Sequence, residues 1–276
     1  MSVYAEPRIR CGKHPCQTRA VPTEEPLSGG NVSAGVVRIG DTVRRPAGPW
    51  TPAVHALLTH LRAAGFDGAP EPLGIDDKGR EVLRFIPGTV AWGEGFRLLQ
   101  PARELARAGR LIRDFHDAVA GFVPPANARW QVNIPPDRAE IIAHNDLAPW
   151  NLVVGDQWTF IDWDMASPGS RLWDLAAASL GFVPLSADPQ LQAPDPAGRL
   201  RVFVDAYGLD DGHERQQLAV MLGPRARSMY QFLADRAARN IEPLVTLWHQ
   251  GHGEAWRNHA DYIDAHAARW QTALLA

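Results

Sequence analysis

The stretch 144–164 constrains the fold more than any other part of the sequence, because polar loop residues alternate in it with two short apolar runs. Asp146 and Asn151 lie on a segment that leads into the apolar run 152–154, and Asp162 follows the second run, 160–161. Pairing of the two runs as a hairpin would bring Asp162 beside Asn151. A carboxylate and an amide oxygen that converge in this way are hard ligands suited to Mg²⁺. Asp146 then remains free to orient or deprotonate a hydroxyl group.

The composition of the 276 residues indicates a globular protein, with 45% hydrophobic and 21% charged residues. The 28 Lys and Arg residues nearly balance the 31 Asp and Glu residues, which excludes a dedicated nucleic-acid binder. No apolar run approaches the roughly 18 residues of a membrane span, and Met1 does not begin a secretory leader. The two cysteines are too few for a disulfide scaffold. We therefore expect a cytoplasmic enzyme that binds neither nucleic acid nor membrane.

Residues 1–26 differ from the rest of the chain, since they contain four prolines and four basic residues but no apolar periodicity. Cys11 and Cys16 flank His14 there, which leaves a zinc clip open, although no second ligand pair stands at the usual spacing. We predict that this segment is a flexible N-terminal tail.

Residues 27–88 predict a small antiparallel sheet with one helix. Gly40-Asp41 separates two β-branched runs as a hairpin turn would, and the turn 76–79 separates a second pair of runs. Between the hairpins, apolar residues at helical spacing predict a helix over 54–61. After the break at Pro87-Gly88, residues 89–276 are mainly helical in pattern. The predicted fold class is therefore α+β.

The motif His-x-Asp-x-x-x-x-Asn at 144–151, followed by Asp162 after a short strand, resembles the catalytic and metal-binding loops of protein-kinase-like phosphotransferases. The form Asp162-Trp163-Asp164 and the later stretch 171–176 are similar to the aminoglycoside phosphotransferase and choline kinase branch, and in particular to its trifolitoxin-immunity-like members. The resemblance implies a two-lobe kinase-like fold. Residues 27–88 would form the nucleotide-binding N-lobe, and residues 89–276 the C-lobe with the catalytic loop, the metal site and the acceptor-binding helices.

The same resemblance implies roles for the residues of the C-lobe motifs. Asp146 would be the catalytic carboxylate, and Asn151 and Asp162 would hold Mg²⁺. Asp164 is either a second metal ligand or a turn-forming residue, and the sequence leaves these two alternatives open. His144 is expected to pack behind the loop, because the carboxylate carries the proton transfer.

The N-lobe would contact the nucleotide. The resemblance implies a glycine-rich hairpin over the phosphates, which places Gly30, Ser33 and Gly35 there, with Val32 departing from the pattern. It also implies a hinge over 85–88, where backbone groups of Ile86 would meet the purine ring.

The family lysine on the third strand is replaced by arginine. We align Arg44 with this lysine and keep Arg45 as the second choice, and Arg and Lys are not interchangeable at such a site. The partner glutamate on the next helix is missing, since no acid occurs between Asp41 and Asp67. His55 is either near this arginine or a residue of the helix surface.

We therefore expect a Mg²⁺-dependent phosphotransferase that moves the γ-phosphoryl group of ATP or GTP to a hydroxyl group of a small molecule. The alternative is a catalytically weak or inactive kinase-like protein that works by binding, as an immunity protein does, because the lysine and the helix glutamate are absent. The sequence does not identify the acceptor, and it leaves the choice between monomer and homodimer open.

Overall fold

A computed structural model describes residues 23–27, 35–188, 191 and 193–276. Its amino-terminal part is a five-stranded antiparallel sheet whose strands lie in the order β1-β2-β3-β5-β4. These strands are β1 (Glu25–Pro26), β2 (Val37–Ile39), β3 (Thr42–Pro46), β4 (Pro72–Ile75) and β5 (Arg80–Arg84). Glu25 and Pro26, which sequence analysis placed in the tail, thus belong to the sheet, where they pair with β2. Residues 1–22, including Cys11 and Cys16, lie outside the described residues.

Turn chemistry explains the two hairpins of this sheet. Gly40 takes a left-handed conformation with φ of +62° between β2 and β3. Between β4 and β5, Asp76 Oδ1 accepts hydrogen bonds from the backbone N–H groups of Lys78 and Arg80, as in an Asx turn. Helix α1 (Thr51–Ala63) connects β3 to β4. Both hairpins and the helix were predicted from the sequence.

Short strands and a long helix open the carboxy-terminal part. Helix α2 (Ala102–Val119) buries one apolar stripe, as its spacing predicts: Leu105, Ala108, Ile112, Phe115 and Val119. A three-stranded sheet has the order β6-β8-β9, formed by β6 (Thr89–Val90), β8 (Leu152–Val154) and β9 (Thr159–Phe160). A separate pair consists of β7 (Ile141–Ala143) and β10 (Ser167–Gly169).

Helices complete the carboxy-terminal part. They are α3 (Arg171–Phe182), α4 (Pro196–Tyr207), α5 (Gly212–Ala238), α6 (Leu244–His249), α7 (His252–Ala265) and α8 (Ala267–Leu275). Helix α5 packs against α3, α7 and α8, while α4 packs against α2. The fold is α+β, with a small amino-terminal sheet before a mainly helical remainder, as predicted. In the described part of the chain, no helix has the length and apolar character needed to cross a membrane.

Candidate active site

The loop 144–151 between β7 and β8 is fixed from behind by Asp174, near the start of α3. The fully buried Asp174 carboxylate accepts hydrogen bonds of 2.9 Å from the backbone N–H groups of both His144 and Asn145. His116 on α2 lies 3.2 Å from the same carboxylate through Nε2. Burial alone would raise the pKa of Asp174, but hydrogen bonding from His116 and the backbone outweighs it and lowers this pKa below its usual value. Asp174 therefore stays ionised and orders the loop.

Asn145 has a left-handed backbone conformation with φ of +63°. Hydrogen bonds to its side chain and to its carbonyl oxygen stabilise this conformation. Its Nδ2 donates to Ser167 Oγ at 2.9 Å. Its carbonyl oxygen accepts a 2.8 Å hydrogen bond from Arg225 Nη2, and Arg225 comes from the distant helix α5. Arg225 belongs to none of the motifs identified in the sequence. The signal was present, because Arg225 stands between the apolar residues Leu222 and Ala226 on a core-facing helix, where an arginine needs a buried partner.

Asp146, the predicted catalytic carboxylate, is oriented by Asn151. Asn151 Nδ2 donates to Asp146 Oδ2 at 2.7 Å and to the Asp146 carbonyl at 2.9 Å. Burial, and next the negative charge of Asp162, raise the pKa of Asp146 to about 7. A carboxyl group poised near neutral pH is suited to accept a proton.

Asp162 lies beside Asn151, as the predicted hairpin requires. In the pairing of β8 with β9, Leu152 is opposite Phe160, and the Ile161 N–H donates to the Asn151 carbonyl at 2.8 Å. Asp162 itself has a left-handed backbone with φ of +60°, and its side chain is 35% exposed. The structure thus brings Asp146, Asn151 and Asp162 into one site.

His144 packs behind the loop. It is fully buried, its Nε2 lies 3.2 Å from the Ile161 carbonyl, and its ring contacts Trp163 at 4.5 Å between centroids. Burial lowers its pKa, so the imidazole stays neutral and serves as a packing and hydrogen-bonding group.

Arg45 places a positive charge beside Asp162 and Asp164. Its Nε lies 3.1 Å from Glu81 Oε2, its Nη1 lies 3.1 Å from Asp162 Oδ1, and its Nη2 pairs with Asp164 Oδ2. Burial lowers the pKa of Arg45, but the charges of Asp162, Asp164 and Glu81 outweigh it and raise this pKa above its usual value. Arg45 is therefore a permanent cation between the sheet and the loop that carries Asp162.

Arg44, which sequence analysis aligned with the family lysine, points away from this cluster. Its Nη1 donates to Thr42 Oγ1 at 2.6 Å, and its Nε lies 3.5 Å from Asp76 Oδ2. The physical reason is the alternation of side chains along a strand, which places neighbouring residues on opposite faces of the sheet. The structure thus corrects the alignment, and Arg45, the second choice, takes the inward position.

The acid that α1 lacks is supplied by strand β5. Arg45 and Glu81 are register partners in the pairing of β3 with β5. His55 on α1 lies 2.9 Å from Glu81 Oε1 through Nε2, so the helix contacts the glutamate rather than the arginine. His55 is therefore part of this network and not merely a residue of the helix surface.

Four further residues are predicted to contact the nucleotide, and the structure describes two of them. Gly30 and Ser33 lie outside the described residues. Gly35 is exposed and lies in the turn before β2, with a left-handed φ of +84°. Ile86 lies in the segment between β5 and β6 and lines a cavity of about 480 Å³, together with Arg84, Gly88 and Gly155.

The oxygen atoms around Asp162 fit a magnesium ion. Both hydrogen bonds of the Asn151 amide use Nδ2, which leaves the amide oxygen as the atom for a cation. The carboxylates of Asp162 and Asp164 are partly exposed, at 35% and 27%. No cluster of three His, Cys, Asp or Glu side chains with metal-site geometry occurs among the described residues, so the fit depends on the Asn151 amide together with the two carboxylates.

Comparisons with known proteins identify the family of this chain. The model of the phosphotransferase enzyme family matches residues 124–218, which include both loops of the site. The trifolitoxin immunity protein of Rhizobium leguminosarum bv. trifolii is 30% identical over 254 residues, covering 84% of this chain and 94% of that protein.

Two solved structures share the fold. A choline/ethanolamine kinase family protein from Mesorhizobium loti has a TM-score of 0.64 at 17% identity, over 95% of this chain and 96% of that chain. The GDP complex of aminoglycoside 2'-phosphotransferase-IIIa has a TM-score of 0.59 at 12% identity, over 91% of this chain and 94% of that chain.

Proposed function

Because the chain belongs to the phosphotransferase enzyme family, among proteins of the aminoglycoside phosphotransferase and choline kinase type, we propose that it transfers the γ-phosphoryl group of ATP or GTP to a hydroxyl group of a small molecule. The observation that carries this proposal is the convergence of Asp146, Asn151, Asp162 and Arg45 on one partly exposed site. Oxygen ligands, a carboxylate near neutral pKa and a fixed cation are the parts that phosphoryl transfer needs.

On the acceptor side, Asp146 would orient the substrate hydroxyl and take its proton. The hydrogen bond from Asn151 Nδ2 holds carboxylate oxygen Oδ2 of Asp146 in place for this contact. A pKa of about 7 lets the group be ionised at neutral pH and still bind a proton during the reaction.

On the donor side, Arg45 would donate hydrogen bonds to phosphate oxygens through its two terminal nitrogens. Mg²⁺ would be held by the Asn151 amide oxygen and the carboxylates of Asp162 and Asp164. When bound, it would neutralise part of the charge of the phosphates. The planar guanidinium offers phosphate a bidentate contact that a lysine lacks.

A second candidate function follows from the 30% identical relative, which is named an immunity protein. On this alternative the chain would protect against trifolitoxin by binding, without phosphoryl transfer. The two candidates differ in whether Asp146 is needed.

The test begins with nucleotide binding. Mg-ATP or Mg-GTP should raise the melting temperature of the wild type, and Asp162→Ala should abolish that shift. Asp261→Ala, which removes an exposed carboxylate on helix α7, is the matched control and should keep the shift. A wild type that neither nucleotide stabilises would overturn the phosphotransferase proposal.

Nucleotide consumption, screened over hydroxylated metabolites and antibiotics, then identifies the acceptor. Phosphoryl transfer that Asp146→Asn abolishes supports the enzyme. If Asp146→Asn instead protects a sensitive strain from trifolitoxin as well as the wild type does, and no acceptor is phosphorylated, the binding function is the correct one.

A further inference from the structure

Arg45 occupies the carboxylates that the proposed function assigns to the metal. All three nitrogens of its guanidinium are engaged: Nε with Glu81 on the sheet, Nη1 with Asp162, and Nη2 with Asp164. The Arg45 side chain is 9% exposed, whereas Asp162 and Asp164 are 35% and 27% exposed. The cation thus contacts these carboxylates from the protein side, and their remaining surface faces the open site.

We propose that Arg45 is a resident counter-ion of the metal site, which weakens binding of a divalent cation to Asp162 and Asp164 until nucleotide phosphates draw its terminal nitrogens away. This inference rests on the proposed function for the identity of the metal and the nucleotide. It goes further in assigning to Arg45 the coupling between metal binding and nucleotide binding. The site would bind the metal weakly without nucleotide and more tightly with it.

The physical basis is competition between cations for the same oxygen atoms. A divalent ion coordinated by Asp162 and Asp164 would stand next to a guanidinium that hydrogen-bonds both, and two cations at such distances repel strongly in a partly desolvated site. Phosphate oxygens relieve this repulsion because they offer the guanidinium a bidentate anionic partner. By thermodynamic linkage, the factor by which nucleotide raises the metal affinity equals the factor by which metal raises the nucleotide affinity.

The anchoring of Nε explains why arginine suits this role. Glu81 is 3% exposed and is itself contacted by His55, so the rear of the guanidinium is held while Nη1 and Nη2 remain at the open side. A lysine has a single nitrogen and lacks the planar fork with which arginine holds Glu81 on one side and two carboxylates on the other.

The experiment measures Mn²⁺ binding by electron paramagnetic resonance, first without nucleotide. Arg45→Gln removes the cation. Arg45→Gln/Glu81→Gln also removes the buried carboxylate that would otherwise lose its partner, and it is the variant to measure where Arg45→Gln alone does not fold. Gln at position 81 retains an amide oxygen for His55. Arg44→Gln, one residue away on the opposite face of β3, is the matched control.

We expect the Arg45 variants to bind Mn²⁺ alone at least about tenfold more tightly than the wild type, within the usual range of coupling effects. Arg44→Gln should bind it as the wild type does. Equal Mn²⁺ affinity in the wild type and the double variant would overturn the inference.

The second arm repeats the titration with a non-hydrolysable ATP analogue. The analogue should increase the Mn²⁺ affinity of the wild type by a larger factor than that of the double variant, and equal factors would overturn the coupling role. An analogue that does not bind the wild type at all contradicts the proposed function, whereas the metal-only titration still decides whether Arg45 restricts the metal site.

Discussion

Arg45 on β3 and Glu81 on β5 are opposite each other in the sheet, and their side chains pair at 3.1 Å between Nε and Oε2. The acid partner of the site arginine therefore comes from a neighbouring strand, whereas the related kinase-like pattern takes it from the helix. Helix α1 still contributes through His55, which contacts Glu81. The register of β3 against β5 fixes this pair. The geometry of Arg45 and Glu81 therefore depends less on the position of α1 than that of a pair between a strand and a helix would.

Removal of Glu81 should destabilise the protein. Glu81→Ala leaves Arg45 Nε without its partner in a buried place, and we expect a loss of about 2–4 kcal/mol in the free energy of unfolding. Glu71→Ala is the control, because Glu71 makes longer contacts with Arg62 and Arg84 nearer the surface and should cost no more than about 1 kcal/mol. Urea denaturation measures both, and equal losses would contradict a structural role for Glu81.

Local chemistry made much of the fold predictable from the sequence. Gly40 and the turn at Asp76 each specify a hairpin within a few residues, and the stripe on α2 repeats at helical spacing. The loop motif around Asp146 likewise has fixed spacing, and the hairpin after Asn151 determines where Asp162 lies.

The rest depended on contacts between residues far apart in the chain. Arg45 and Glu81 are separated by helix α1 and strand β4, so their pairing follows from the sheet order and not from any local pattern. The alternation along β3 could have distinguished Arg45 from Arg44, but only once the inward face of the strand was known. Arg225 reaches the loop at Asn145 from α5, and spacing alone does not reveal such a contact.

Arg225 should be required for an ordered catalytic loop. Arg225→Met keeps much of the side-chain volume but removes the hydrogen bond to the Asn145 carbonyl, and we expect a loss of about 1–3 kcal/mol. Phosphoryl transfer should fall as well, because Asn145 precedes Asp146. Arg227→Ala on the same helix removes only an exposed ion pair with Asp264 and should leave stability within about 1 kcal/mol of the wild type. Thermal denaturation compares the two, and an unaffected Arg225→Met would contradict the role.

Asp146 should make stability and activity depend on pH in opposite directions. The unfolded carboxyl has a pKa of 3.8 and the folded one a pKa of about 7, so the folded state binds the extra proton between these values. Raising the pH through this window therefore costs stability, and above pH 7 the cost is complete. Proton acceptance by Asp146 needs the ionised form, so activity should rise with pH through the same region.

Asp146→Asn removes this titration and keeps an oxygen for Asn151. We expect the variant to be more stable than the wild type at pH 8, by about 1–2 kcal/mol after allowance for solvent screening, and the gain should vanish near pH 4. Urea denaturation at the two pH values measures the difference. A gain that is independent of pH would show that the carboxyl does not titrate in this range.

Gly88, in the segment between β5 and β6, should tolerate alanine poorly. Its φ is +154°, and a Cβ there would lie 2.6 Å from the Val154 carbonyl oxygen, at the end of β8. Gly88→Ala would therefore push the segment that contains Ile86 away from β8, and nucleotide should bind less tightly. Gly74→Ala is the matched control, because Gly74 also has a positive φ, +106°, but no atom within 4 Å of the added Cβ.

We expect Gly88→Ala to cost about 1–3 kcal/mol more in the free energy of unfolding than Gly74→Ala, since only the first adds a steric clash to the backbone strain. Urea denaturation and the nucleotide-dependent thermal shift measure the two effects, and equal losses in both variants would show that β8 yields to the added methyl group.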